Sequence, residues 1–262
     1  MKNANNKGRK AVETFSQAWN FFPALLDEKE HSIRFDEAVN GLDEPTKAHF
    51  SHTLEVVVYA NEVTEKDFPT RAELERLNQI EDNLDCGDFE MRLIAVVTGG
   101  GAMRFVLCYN GDATAEEMAK TLLGENWQES DYRSILDDNF SHFYNNLAPN
   151  PYERQYILNR MVCTNMENEG ELFQTPREID FFCDFATEEY VQAVSEKLVR
   201  LGLTEVKRDK LEFEDGERYT LHMVFVGIPI FREINEMTYD ILDALQGTDG
   251  AFDGWGAPIH KE

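Results

Sequence analysis

Residues 211–226, with the sequence LEFEDGERYTLHMVFV, decide the fold of this chain. Two runs of apolar and aromatic residues flank an Asp-Gly pair at positions 215 and 216, a strong signal for a β-hairpin. The run from Tyr219 to Val226 is rich in β-branched and apolar residues and predicts a strand that returns after the turn. These residues therefore indicate an antiparallel sheet.

A strand and a helix precede this hairpin, and a helix and a strand follow it. The first strand is predicted over residues 179–185, with one apolar side formed by Ile179, Phe181, Cys183 and Phe185. Thr187 is the expected N-cap of a helix whose apolar face carries Val191, Val194, Leu198 and Leu201. A second helix, ending near Gly247, carries Ile234, Met237, Ile241 and Leu245. The last strand is expected at residues 251–258, which gives the order βαββαβ.

The same order occurs earlier in the chain. Strands are predicted at residues 52–60, 89–97, 103–109 and 132–136. Helices are predicted after Thr70 and Thr114, because each is followed three positions later by a glutamate, the spacing of a capping box. The glycines at positions 99–101 predict the hairpin turn between the second and third strands.

A βαββαβ order that occurs twice predicts two tandem ferredoxin-like domains. Each is an α/β sandwich of the α+β class, in which two helices cover one face of an antiparallel sheet. The expected domains are residues 1–149 and 150–262, because Pro149-Asn150-Pro151 precedes a long helix predicted over residues 150–170. The prefix before His52 contains an aromatic-rich segment around Phe15 and Trp19 and a candidate strand from Ile33 to Val39. We expect it to extend the first domain.

The charge of the chain is strongly negative, with 50 Asp and Glu residues against 25 Lys and Arg residues and a formal net charge of −25. Such a surface repels phosphate groups, so neither direct nucleic-acid binding nor membrane binding is expected. Two interpretations stay open: the charge serves solubility alone, or it attracts a basic protein partner.

Four cysteines, Cys86, Cys108, Cys163 and Cys183, lie far apart and form no CxxC pair. This usage indicates reduced thiols and a cytoplasmic protein. The first ten residues are basic but lack a following apolar segment, so no signal peptide is expected. The longest strongly apolar run, residues 223–231, is too short to span a bilayer.

The six histidines do not form a recognisable catalytic or metal-binding pattern. His49 and His52 lack an HExxH motif or a Cys/His ligand set, and His222 alternates with apolar residues inside a strand. His142 lies near Asp137 and Asp138 in sequence, without a nucleophile motif. We therefore expect no catalytic residue, no metal site and no cofactor.

The C-terminal segment contains Phe252-Asp253-Gly254-Trp255-Gly256. Together with Glu178-Ile179-Asp180-Phe181-Phe182, Leu201-Gly202-Leu203 and the turn Glu214-Asp215-Gly216, it resembles the RraB family, the regulators of ribonuclease E activity, over roughly residues 152–259. The first half resembles a bacterial family of unknown function that can be fused to RraB-like domains. Phe252 replaces a family tyrosine, and Phe181 and Phe182 stand where histidines are expected.

The resemblance implies a non-catalytic regulatory protein that binds and inhibits an RNase E-type endoribonuclease and so modulates RNA turnover. The candidate partner-binding residues are Asp253, Gly254, Trp255 and Gly256. Trp255 is expected to be mainly structural because it lies in the strand that closes the sheet, which leaves Asp253 as the better exposed contact. The alternative is a small-molecule sensor or an uncharacterised enzyme with a site at the junction of the two domains.

Overall fold

A computed structural model describes residues 18–85, 89–137, 139–213 and 216–261. Phe15, Cys86, Asp138 and the turn residues Glu214 and Asp215 lie outside this range. The chain divides between Pro149 and Asn150 into two compact units. None of the helices within the described ranges is long and apolar enough to cross a membrane.

The first unit has a six-stranded sheet in the order β1-β2-β4-β5-β3-β6. Its strands are β1 Trp19–Leu26, β2 Lys29–Asp36, β3 His52–Tyr59, β4 Glu90–Gly99, β5 Ala102–Asn110 and β6 Ser130–Leu136. Its α-helices are α1 Glu44–His49, α2 Arg71–Asp82, α3 Ala115–Leu123 and α4 Ser141–Asn146. The segment from β3 to β6 has the predicted βαββαβ order.

The described part of the prefix contains a hairpin that extends the sheet. Strand β1 pairs with β2, and β2 pairs with the edge of β4. The strand predicted from Ile33 to Val39 ends earlier, because residues Glu37–Gly41 form a 3-10 helix. Asp36 caps that helix by accepting a hydrogen bond from the backbone N–H of Ala38 at 3.1 Å.

The predicted capping boxes have different outcomes. Thr114 and Glu117 form the complete box, with each side chain accepting from the other residue's backbone N–H. Thr70 accepts from the N–H of Glu73, but the Glu73 carboxylate instead accepts from the N–H of Asn61 at 2.9 Å. A tertiary contact has therefore replaced half of the box.

The glycine turn is a two-residue hairpin loop, as predicted. Gly99 pairs with Ala102, which leaves Gly100 and Gly101 as the loop residues, with φ values of +58° and +78°. Positive φ at both central positions is the type I′ geometry, which glycine adopts without strain.

The sheet of the first unit is covered on both faces over part of its area. One face carries Leu54, Val56, Val58, Phe105 and Leu107, which pack with the apolar sides of α2 and α3. The opposite face contains a second set of buried aromatic residues, including Phe22, Phe35, Phe50, Phe140 and Phe143. Ring contacts such as Phe35–Phe143, at 6.1 Å between centroids, link β2 to α4.

The second unit has a four-stranded sheet in the order β10-β7-β9-β8. The elements are α5 Pro151–Asn168, β7 Arg177–Phe185, α6 Val191–Arg200, β8 Thr204–Phe213, β9 Gly216–Gly227, α7 Phe231–Leu245 and β10 Gly250–Gly256. This strand order is that of a ferredoxin-like sheet, and the fold prediction is confirmed for both units. The α5 helix is the long helix predicted after Pro149, and it packs against α7.

The prediction that Thr187 caps a helix is wrong. A 3-10 helix, Glu188–Tyr190, precedes α6, and Thr187 makes no capping hydrogen bond. Its hydroxyl instead donates to Asp249 Oδ2 at 2.7 Å. The Thr187 hydroxyl therefore binds a side chain 62 positions later in the chain and does not cap the helix that follows it.

We expect Phe181→Ala and Phe182→Ala to lower the stability of the protein by different amounts, because the two side chains lie on opposite faces of β7. Phe181 is fully buried, so its truncation should lower the free energy of unfolding by about 3–5 kcal/mol. Phe182 is half-buried and stacks on His222, so its truncation should cost about 1 kcal/mol. Urea denaturation followed by circular dichroism measures both losses, and equal losses would contradict this assignment of faces.

Candidate functional site

The C-terminal motif forms strand β10 and contains a β-bulge. Phe252 pairs with Cys183 and Gly254 pairs with Phe182, so Asp253 is the extra residue. A bulge of this kind lets Phe252 and Trp255 both pack on the core, although they are three positions apart. Gly254 has a φ of +149°, which favours glycine. Asp253 is left exposed at the bulge.

Trp255 anchors β10 to the helices. Its ring is half-buried against the core, and its Nε1–H donates to Asn159 Oδ1 at 2.8 Å. Asn159 is fully buried on α5 and donates to the hydroxyl of Thr238 on α7 at 2.8 Å. The same Oδ1 accepts from Gln155 at 2.7 Å. The indole therefore completes a buried polar network that joins strand β10, helix α5 and helix α7.

The face of the second sheet that points away from its core is acidic. We define this open face by four side chains of β7 and the β9 residues opposite them: Glu178, Asp180, Phe182, Asp184, Val226, Val224, His222 and Thr220. At its centre the His222 ring stacks on Phe182, with centroids 4.6 Å apart, and His222 Nε2 lies 2.7 Å from Asp180 Oδ1. His222 is thus a sheet histidine with a carboxylate partner.

The glycines of the motif border this open face. Gly254 pairs with Phe182 and Gly256 with Asp180, so β10 presents no side chain beside them at these two positions. Asp253 lies next to Gly254 and adds a further exposed carboxylate at this border. The structure therefore places Asp253, Gly254 and Gly256 along one edge of an acidic face, while Trp255 points into the core.

Two further histidines are engaged, and the described cysteines are buried. His49 Nε2 lies 3.0 Å from Glu90 Oε2, and His52 stacks on Tyr109. Among the described residues, no group of three or more His, Cys, Asp and Glu side chains is placed to hold a metal ion. Burial raises the pKa of the Cys183 thiol to about 12 and that of Cys163 to about 11, so both are protonated at neutral pH.

A cleft in the first unit contains a charged cluster that sequence reasoning missed. It lies on the sheet face opposite α2 and α3, has a volume of about 630 Å³, and includes β3, β5 and β6 residues in its floor. Glu55 of β3 is only 2% exposed there. A glutamate in the middle of the apolar run of β3 was the available signal, because a buried carboxylate requires partners from elsewhere in the fold.

Three cationic or hydrogen-bonding side chains surround Glu55. Arg133 donates from Nε to Oε2, His142 Nε2 lies 2.9 Å from Oε1, and Arg104 Nη1 lies 3.8 Å from Oε1. Burial, the largest influence, raises the pKa of the Glu55 carboxyl. The hydrogen bonds from Arg133 and His142 and the charge of Arg104 more than offset this, so the pKa lies below its usual value. Glu55 is therefore ionised at neutral pH.

The ring orientation of His142 is set by its neighbours. Asn146 Nδ2 lies 3.3 Å from Nδ1, which favours the tautomer whose Nε2–H donates to Glu55. The backbone N–H of His142 donates to Asp137 Oδ1 at 2.9 Å. His142 and Asp137 are thus close, as their sequence proximity indicated, but the imidazole ring binds Glu55 instead.

Comparisons with known proteins give two family matches and no match to a curated protein. Residues 17–148 match a family of unknown function (DUF695), and residues 157–257 match the family "Regulator of ribonuclease activity B" (RraB).

Two solved structures show distant similarity. An unknown protein from Galdieria sulphuraria is 12% identical with a TM-score of 0.21, over 78% of this chain and 96% of that one. A "putative glycine cleavage system transcriptional repressor" is 8% identical with a TM-score of 0.24, over 79% of this chain and 98% of that one. Neither similarity is close enough to support an argument about fold or function. Since the DUF695 match spans half of the sequence, this chain belongs to the DUF695 family of unknown function, and its residues 157–257 match the RraB family.

Proposed function

We propose that this protein is a non-catalytic regulator that binds an RNase E-type endoribonuclease through the open face of its second unit and inhibits it. The RraB match supports a regulatory role. The observation that most supports the proposal is the acidic open face with Asp253 at its border, because this face is a surface on which a protein partner can bind.

The charge of the open face suits a basic protein segment. Glu178, Asp180 and Asp184 lie on one strand at alternate positions, so their carboxylates share a face. Asp180 and Asp184 lie on either side of Phe182 along β7, and the stacked pair of Phe182 and His222 offers a flat aromatic surface. On the other side of His222 lies Lys207 of β8, which is paired with Asp209. A partner segment with arginines would gain charge-assisted hydrogen bonds at the rim and stacking at the centre.

The same charges disfavour direct nucleic-acid binding and binding to anionic membranes. RNA-recognition domains of this fold stack bases on the equivalent face and need basic residues for the phosphates. Here the neighbours of the aromatic pair on β7 are carboxylates. The proposed partner is therefore the nuclease and not its RNA substrate.

Within the motif we assign different roles to the four residues. Asp253 contacts the partner, and the lack of side chains at Gly254 and Gly256 lets the partner approach Phe182 and Asp180. Trp255 acts indirectly, by holding β10 in place through Asn159. The described cysteines are free and buried, which supports the cytoplasm as the working compartment.

The double variant Asp184→Asn/Asp253→Asn should weaken binding to a purified RNase E-type endoribonuclease about tenfold, since two carboxylates leave the contact surface while the side-chain shapes remain. Surface plasmon resonance with the full chain gives the dissociation constants. Glu233→Gln/Glu236→Gln, at two exposed positions of α7, removes the same number of charges as a matched control and should bind like the wild type. Equal affinities for all three proteins would place the contact elsewhere.

Inhibition is tested separately from binding. We expect saturating full-length protein to slow cleavage of a defined RNA substrate by the same nuclease. An unchanged cleavage rate in the presence of demonstrated binding would show that the protein is a partner but not an inhibitor.

Trp255→Phe should lower the free energy of unfolding by about 1 kcal/mol, because the hydrogen bond to Asn159 is lost while an aromatic side chain is kept. Affinity for the nuclease should change less than twofold, in contrast to the double aspartate variant. Trp127→Phe, in the first unit, controls for a general effect of replacing tryptophan. A large loss of affinity without loss of stability would make Trp255 a direct contact.

A further inference from the structure

The cleft of the first unit has a charge balance opposite to that of the whole chain. Its lining contains three basic residues, Lys29, Arg104 and Arg133, against two acidic residues, Asp27 and Glu55, with His31 and His142 in addition. Lys29 is paired with Asp67 at 2.7 Å, so the two arginines are the cations that face the cleft. The chain as a whole has twice as many acidic as basic residues. A concave site enriched in cations on so acidic a protein suits an anionic ligand.

The two arginines retain hydrogen-bonding capacity beyond what Glu55 uses. A guanidinium has five N–H donors, and Glu55 Oε2 is approached by Nε and Nη2 of Arg133. Arg104 Nη1, at 3.8 Å from Glu55, is beyond hydrogen-bond distance. The side chains of Arg104 and Arg133 are 35% and 62% exposed, so solvent or a ligand reaches both.

Glu55 acts as a fixed support for Arg133, and Arg104 lies beside it. Strand pairing places Glu55 opposite Arg133 of β6, and Arg104 of β5 opposite Val57. The two arginines therefore approach the same carboxylate from β5 and β6, the strands on either side of β3. An arginine already held by a buried carboxylate loses less conformational entropy when it binds an anion.

Apolar side chains line the rest of the cleft. Leu25 and Leu26 come from β1, Val57 and Val97 from the sheet floor, and Leu147 from the end of α4. Leu25 is 72% exposed. This lining gives a ligand an apolar environment beside its charged group.

We propose that this cleft binds a small organic oxyanion, a carboxylate or phosphate ester with an apolar body. The oxyanion lies between Arg104 and Arg133, and the apolar body contacts Leu25, Val57 and Leu147. The volume of about 630 Å³ is that of a typical metabolite site. This site is independent of the proposed nuclease contact, because it belongs to the first unit.

Isothermal titration calorimetry of the full chain with sodium hexanoate, hexyl phosphate and inorganic phosphate tests the proposal. Hexanoate or hexyl phosphate should bind, and the tighter of the two identifies the oxyanion. Inorganic phosphate should bind more weakly than hexyl phosphate because it lacks the apolar body. Hexylammonium chloride at equal ionic strength should not bind. Absence of binding by both hexyl anions, or equal binding of hexylammonium, would overturn the proposal.

Variants locate the binding site. Arg104→Met should weaken anion binding about tenfold, while Arg71→Met, an exposed position on α2 at 94% side-chain exposure, should have no effect. Leu25→Asp changes an exposed side chain and leaves the buried cluster intact, so it should fold normally and weaken binding by charge repulsion. Unchanged affinity in both Arg104→Met and Leu25→Asp would show that the anion binds elsewhere.

Discussion

The alternation of side chains along β3 and β7 is the constraint on which the rest of the structure depends. Each is the first strand of its βαββαβ repeat, and each is paired on both sides, β3 by β5 and β6, and β7 by β9 and β10. Because successive residues point to opposite faces, a slip of one residue would exchange the core with the outer face. Because each of these strands is paired with a strand on either side, its register is fixed. The positions of the functional surfaces described above follow from this register.

The two outer faces differ in what covers them. In the first unit, aromatic residues from β1, β2 and α4 bury part of that face, and the remainder is a cleft with Glu55 at its base. In the second unit, the corresponding face of β7 carries partly or fully exposed carboxylates and Phe182. One strand order thus gives a concave site in one unit and an open surface in the other, because the extra hairpin and α4 cover part of this face in the first unit.

Local signals account for most of the fold that the sequence predicted. The Gly100–Gly101 loop and the Thr114 capping box depend on residues within a few positions of each other, and both formed as expected. The Thr187 cap failed because Asp249 competes for its hydroxyl. The Ile33–Val39 strand ended early because Asp36 has a side-chain capping alternative. Errors therefore arose where a distant or polar partner outweighed local propensity.

The candidate site in the first unit was harder to predict than the fold, because its residues are far apart in sequence. Glu55 is separated from Arg133 and His142 by 78 and 87 positions, so no local spacing reveals the cluster. A buried carboxylate is costly to desolvate, and it persists only where the fold supplies several partners at once. Only the presence of a carboxylate inside an apolar strand signalled that such partners must exist.

The Phe252–Gly256 motif was visible in sequence because its residues are contiguous, although one of its contacts, with Asn159, lies 96 positions away. The bulge at Asp253 needs a residue at position 254 that tolerates positive φ, and the indole at position 255 must reach Asn159. Both features are needed for β10 to pair with β7 and pack on the core, whether or not the protein binds a partner. The exposed aspartate at the bulge is not needed for this packing. Gly254 and Trp255 are therefore explained by the fold. The carboxylate of Asp253 has no structural role in this strand, so it is the part of the motif that is free to serve binding.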